Sequence, residues 1–155
     1  FSQSKALIKA QYLLTRTPKL SLLTAKLLGR SHKVFKTLLN AMFFNHDNIT
    51  DDFVMSMVQE FKNTPALATF TKFNNSELTK DGRRSDLLPM LKDTKIPSMI
   101  IHGQFDLTIP PILAQDAAAE INGADLRIIP KCGHWVTRDR PETVAAFLSE
   151  FTNSR

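Results

Sequence analysis

The stretch Ile96–Asp106 reads IPSMIIHGQFD, and it decides the fold class. Its centre is a short apolar run that follows a proline and ends at a glycine, a pattern typical of a buried strand. A proline pair then opens a helix over 110–121, Asp125–Ile129 reads as a second strand, and Pro141 opens a final helix. Strand, helix, strand and helix at this spacing predict a βαβ unit in a parallel sheet, so the fold class is α/β.

Each predicted strand is followed by a short loop that carries one titratable residue. The first loop contains Asp106 and the second, PKCGHW at 130–135, contains His134. Function gathers at the carboxyl ends of parallel strands, and adjacent strands bring their loops side by side. An aspartate can then accept a hydrogen bond from one ring nitrogen of a histidine and stabilise the imidazolium. The spacing therefore predicts an acid–base pair, although each residue alone could be an ordinary loop residue.

This combination resembles the last two strands of the α/β-hydrolases. The stretch Ile96–Asp106 followed by Ile109–Pro110 resembles the seventh strand and acid turn of that family, and Cys132–Trp135 resembles its histidine loop. The order of acid before histidine also matches, and the resemblance covers roughly residues 86 to 152. The resemblance implies that Asp106 is the catalytic acid and His134 the catalytic base. It makes Leu107 and Trp135 candidates for substrate contacts, with core packing an equal alternative for Trp135.

The family's nucleophile is missing from this chain. The five glycines do not form the expected Gly-x-Ser-x-Gly turn, and the first six strands are absent. The resemblance thus implies one half of a serine-nucleophile hydrolase of carboxylic esters or carbon–carbon bonds. An N-terminal half would be its partner and a small acyl compound its substrate, and no cofactor is implied. An aspartate nucleophile is less favoured, and a non-catalytic ligand receptor of the same fold is the alternative.

The region before the βαβ unit reads as a set of helices. Apolar residues recur at helical spacing, with Ser31 as an N-cap, a stripe from Val34 to Phe43 and a helix that begins after Thr50. Residues 75–95 look irregular. By position, the resemblance assigns residues 1–85 to a helical lid and 86–155 to the C-terminal part of the core. The absence of an initiator methionine predicts that the chain begins inside a longer polypeptide.

Charge is distributed unevenly along the 155 residues. Residues 1–46 hold eight basic and no acidic residues, whereas the net charge of the whole chain is +5. Such a block is a solvated helical face or a surface that attracts anionic substrates or lipid. A nucleic-acid partner is not expected because no recognition helix rich in Arg, Asn and Gln is found. A membrane surface is a minor alternative, and a single cysteine fits a cytoplasmic location.

Two further residues near the expected site, His102 and Cys132, are expected to have structural rather than catalytic roles. His102 is expected to be structural because it lies inside the strand. Cys132 could act as a nucleophile beside His134, but residues two apart in one loop rarely face each other, so a small buried packing residue is favoured. No metal-ligand spacing links the four histidines and the cysteine.

Overall fold

The structure is a computed structural model that describes residues 31–63, 66–79 and 82–154. Its regular elements, in chain order, are α1 (His32–Asn40), a 3-10 turn (His46–Asn48), α2 (Asp51–Asn63), α3 (Ala66–Glu77), β1 (Leu78–Thr79), β2 (Gly82–Arg83), a 3-10 turn (Leu88–Asp93), β3 (Met99–Gly103), α4 (Pro111–Glu120), β4 (Asp125–Ile129), α5 (Val136–Asp139) and α6 (Pro141–Asn153).

The described residues group into two units. The first contains those that fall within Phe1–Phe35 and Asp51–Asp86, and the second those within Lys36–Thr50 and Leu87–Arg155. The division of the chain into a lid and a core at residue 85 stays a prediction. The segment Lys36–Thr50 groups with the second unit, which also holds the strands β3 and β4.

The second unit is built on the parallel pair β3 and β4, as the sequence predicted. Met99 pairs with Asp125 and Gly103 with Ile129, so the two strands are in register over their whole length. Both helices next to these strands begin at the prolines that the sequence indicated, Pro111 and Pro141. Proline suits the first helical position because its fixed φ is helical and its missing N–H would have had no partner there.

A small apolar core lies between this pair of strands and the last helix. Ile129, Cys132 and Val144 are buried together, and Ile101, Val136 and Phe147 pack against them. The core therefore sits directly beneath the loop that follows β4. Its packing holds the base of that loop in place.

The first unit contains α2, α3 and a short hairpin. The helix α2 begins directly after Thr50, as the sequence predicted, and its residues Phe53 and Val54 are buried. The prediction of irregular structure over 75–95 is wrong at its start. There α3 continues to Glu77, and Leu78 pairs with Arg83 in an antiparallel hairpin.

The helix α1 begins where the sequence predicted but buries a narrower face. The hydroxyl of Ser31 accepts a hydrogen bond from the amide of Val34 at 3.3 Å, which is the expected N-cap. Phe35 and Leu39 are buried, whereas Val34 and Leu38 are 44% and 45% exposed. Of the eight basic residues, only Lys33 and Lys36 lie within the described ranges, so the prediction about the basic block lies largely outside them.

Over the described ranges, no helix is long and apolar enough to cross a membrane.

Candidate active site

The two loops that carry Asp106 and His134 meet because the strand ladder continues beyond its strands. The amide of Gln104 donates to the carbonyl of Ile129 at 2.9 Å, and the amide of Phe105 donates to the carbonyl of Cys132 at 2.8 Å. These bonds tie the first residues of one loop to the first residues of the other. The two titratable residues are thereby brought to the same edge of the sheet.

Gly103 makes this close approach sterically feasible. A Cβ at this position would lie 2.0 Å from the carbonyl oxygen of Gly133 and 2.6 Å from that of Cys132. Gly133 is equally confined, since its Cβ would lie 2.6 Å from the carbonyl oxygen of Met42. Both glycines are needed for the room they leave to neighbouring backbone.

Asp106 and His134 form the hydrogen bond that the sequence predicted. The Nδ1 atom of His134 lies 2.8 Å from Oδ2 of Asp106. The other carboxylate oxygen, Oδ1, accepts from the amides of Thr108 and Ile109, each at 2.8 Å. The side chain of Asp106 is 2% exposed and that of His134 is 24% exposed. A buried, oriented acid thus faces a histidine that remains accessible to a reactant.

His102 also reaches this carboxylate. Its Nε2 lies 2.9 Å from the carbonyl oxygen of Ile109 and 3.2 Å from Oδ2 of Asp106. The sequence predicts a structural role for this histidine in the strand and does not indicate its contact with Asp106. Its one signal was the four-residue spacing to Asp106 across a turn, which is too common in proteins to be specific.

Asp139 is a second buried carboxylate near the histidine, and the sequence did not indicate it. It is 3% exposed. Its Oδ2 accepts from the amides of Gly133 at 2.6 Å and Phe44 at 2.8 Å, and its Oδ1 accepts from the amide of Asn45 at 3.0 Å. Ionised acceptors make stronger hydrogen bonds than neutral ones. Asp139 therefore fastens the histidine loop to the segment that follows α1.

The same segment supports the histidine directly through its backbone. The carbonyl of Met42 accepts from the amide of His134 at 2.8 Å and from that of Trp135 at 3.3 Å. The loop thus donates backbone hydrogen bonds to the carbonyl of Met42 on one side and to the carboxylate of Asp139 on the other. The orientation of the imidazole depends on chain that lies about ninety residues earlier in the sequence.

The start of the histidine loop contains a residue in an unfavourable backbone conformation. Lys131 has a φ of 50°, in the left-handed region that non-glycine residues seldom occupy. The guanidinium of Arg140 donates to the carbonyl of Lys131 from Nε at 3.1 Å and from Nη2 at 2.9 Å. This two-point contact offsets part of the cost of the turn.

Cys132 does not have the environment of a nucleophile. It is fully buried and belongs to the small core. Burial, with a contribution from the nearby charge of Asp139, raises the pKa of its thiol from 9.0 to about 11. The reactive thiolate is therefore disfavoured at neutral pH, and the packing role is the one that the structure supports.

An open cavity of about 390 Å³ lies beside the acid loop. It is lined by Asn40, Ala41, Phe43, Phe44, His46, Phe105 and Leu107. Leu107 is 80% exposed, so its side chain is available for contact. Trp135 is not among the lining residues and instead packs edge-on against Phe43, with ring centroids 5.5 Å apart. Within the described ranges, no cluster of side chains could hold a metal ion.

Known proteins resemble this chain in sequence and in fold over part of their own length. No family model matches the chain. It is 23% identical over 117 residues to a 2-hydroxy-6-oxononadienedioate/2-hydroxy-6-oxononatrienedioate hydrolase of Paraburkholderia xenovorans (strain LB400), a match that covers 75% of the chain but 39% of that protein.

Two solved structures extend the comparison. An esterase from Exiguobacterium antarcticum superposes with a TM-score of 0.69 at 16% identity, over 99% of this chain and 50% of its own. A meta-cleavage product hydrolase from Pseudomonas fluorescens IP01 gives 0.65 at 20% identity, over 80% and 46%. The chain spans half or less of the length of each relative. Its parallel strands, its loops and these superpositions show that this chain has the fold of the C-terminal part of an α/β-hydrolase.

Proposed function

We propose that this chain supplies the catalytic acid Asp106 and the catalytic base His134 of a serine-nucleophile hydrolase. The observation that carries the proposal is the 2.8 Å hydrogen bond between Asp106 Oδ2 and His134 Nδ1, made by a carboxylate that is almost completely buried. An acid in this position fixes the tautomer of the imidazole and leaves Nε2 free to accept a proton. The fold that the relatives share is a second support.

The reaction would proceed in two proton-transfer steps through His134. As the serine oxygen bonds to the substrate carbonyl carbon, its proton moves to Nε2, and the carboxylate of Asp106 stabilises the imidazolium. The same proton then passes to the leaving group as its bond to the carbonyl carbon breaks. A water molecule repeats the sequence on the acyl-enzyme, which releases the acid and restores the serine.

The substrate class that we propose is a small carboxylic ester or a diketone-like acid cleaved at a carbon–carbon bond. The names of the relatives include an esterase and hydrolases of 2-hydroxy-6-oxo acids. The phenylalanines and Leu107 that line the cavity next to Asp106 would receive the apolar part of such a substrate. Trp135, which packs on Phe43, would contribute by shaping the wall behind them.

The serine and the oxyanion donors would come from an N-terminal half that completes the sheet. Among the described strands, β3 pairs only with β4. Two strands alone form a poor sheet, and a partner strand along the remaining edge of β3 would cover it. With one cysteine in the chain, the cytoplasm is the location that we propose for the complete protein.

The test is hydrolysis by the full-length protein of p-nitrophenyl esters of increasing chain length and of a 2-hydroxy-6-oxohexadienoate. Asp106→Asn keeps the shape of the acid but removes its charge, and we expect kcat to fall by about 10⁴-fold. His134→Ala removes the proton acceptor, and we expect a loss of similar size. Asp93→Asn, at an exposed position, is the matched control and should leave kcat unchanged.

A fall of less than about tenfold in both catalytic variants would contradict the proposal. Tight binding of such acids by a wild-type protein that hydrolyses none of them would instead support the alternative of a non-catalytic receptor.

A further inference from the structure

Both oxygens of the Asp106 carboxylate are fully engaged by the protein. Oδ1 accepts from two backbone amides, and Oδ2 lies 2.8 Å from Nδ1 of His134 and 3.2 Å from Nε2 of His102. An ionised carboxylate offers about four acceptor positions. Because the side chain is 2% exposed, these groups rather than water occupy them.

The neighbours of His102 decide which of its ring nitrogens carries a hydrogen. Its Nε2 lies 2.9 Å from the carbonyl oxygen of Ile109, and a carbonyl oxygen can only accept. Nε2 therefore carries the hydrogen and is directed at two acceptors, the Ile109 carbonyl and Asp106 Oδ2. The imidazole therefore links the end of β3, where His102 lies, to Asp106 and Ile109 in the loop that follows.

We propose that His102 is a positioning residue for the catalytic acid, an inference that rests on the proposed function. Its Nε2–H donates to Asp106 Oδ2 and to the Ile109 carbonyl, and thereby holds Oδ2 in line with Nδ1 of His134. Without this donor, the backbone amides still hold Oδ1, but Oδ2 gains rotational freedom and space for water. The hydrogen bond to His134 then lengthens or is shared with solvent.

The substitution His102→Leu removes the donor, whereas His102→Gln places an amide N–H near the position of Nε2. In the full-length protein, we expect His102→Leu to lower kcat about tenfold with KM changed less than twofold. His102→Gln should remain within about threefold of wild type. His32→Leu is the matched control, because His32 is an exposed histidine whose ring lies 3.7 Å from Asp51, outside the site.

A second readout is independent of hydrolysis. The proton on Nδ1 of His134 should give a low-field NMR resonance in the wild type and in His102→Gln, and it should broaden by solvent exchange in His102→Leu. If His102→Leu does not fold, His102→Asn replaces it, since its shorter side chain remains polar but does not reach Oδ2.

The two readouts separate the possible failures. Wild-type kcat and an unchanged resonance in His102→Leu would overturn the positioning role, as would a His102→Gln variant that loses as much activity as His102→Leu. A different outcome is that the wild-type protein hydrolyses none of the substrates, but the His134 resonance is lost in His102→Leu and kept in His102→Gln. That outcome would refute the proposed function and support the positioning of Asp106 by His102.

Discussion

Replacing Asp139 by asparagine should loosen the histidine loop at one defined point. The carboxylate accepts three backbone hydrogen bonds, from Gly133, Phe44 and Asn45, at 2.6 to 3.0 Å. An asparagine has one acceptor oxygen. If that oxygen replaces Oδ2, the amide of Asn45 loses its acceptor and faces the NH₂ group of the new side chain. The opposite orientation leaves two amides without an acceptor.

The size of the effect follows from these contacts. A hydrogen bond to a charged group contributes about 1.5–3 kcal/mol, and one such bond is lost outright. The two remaining bonds lose their charge assistance, which accounts for roughly half of their strength. We therefore expect Asp139→Asn to lower the free energy of unfolding by about 3 kcal/mol. Asp139→Ala, which removes the acceptor of the buried Gly133 amide and of the two part-buried amides, should cost about 4–5 kcal/mol.

Urea unfolding of the full-length protein measures this free energy. With a denaturant slope of about 2 kcal/mol/M, the unfolding midpoint should move down by roughly 1.5 M. Hydrogen exchange adds a local readout, because the amides of Phe44, Asn45 and Gly133 should lose protection more than those of the β3–β4 ladder. Asp93→Asn again serves as the control, since it makes the same chemical change at an exposed position.

An Asp139→Asn protein that unfolds within about 0.5 kcal/mol of wild type and exchanges these three amides at unchanged rates would contradict this prediction. That result would mean that the loop is held by the Met42 carbonyl and the apolar core alone.

Three further predictions concern the same loops. Gly103→Ala should lower the free energy of unfolding in urea by about 3 kcal/mol or more, because the backbone of Cys132 and Gly133 must move to make room for the new Cβ. Gly123→Ala, at a φ of 74° in open space, should lower it by about 1 kcal/mol. Equal losses would contradict this prediction. Native Cys132 should react slowly with iodoacetamide at pH 8, and rapid labelling of the folded protein would exclude this environment. Because folding raises the pKa of its thiol from 9.0 to about 11, its contribution to stability should be constant below pH 9 and decline from pH 9 to 11. Arg140→Lys should lower stability by about 1 kcal/mol in thermal unfolding, since lysine cannot make the two-point contact with the Lys131 carbonyl; an unchanged melting temperature would argue against that role.

Local sequence patterns determined most of the α/β unit. The apolar runs that became β3 and β4 are bounded by proline and glycine, and these residues restrict the backbone whatever surrounds them. Once the two strands are parallel neighbours, the residues that follow them must share one edge of the sheet. The contact between Asp106 and His134 could therefore be predicted from the sequence alone.

The supports of that pair were decided only by the tertiary structure. Asp139 binds amides of Phe44 and Asn45 that lie more than ninety residues away, and no periodicity or spacing reports such a partner. His102 looked like an ordinary strand residue, because its role depends on how the acid loop folds back over the strand end. Hydrogen bonds between distant segments form only when the chain has packed. The pattern of side chains along the sequence therefore does not predict them.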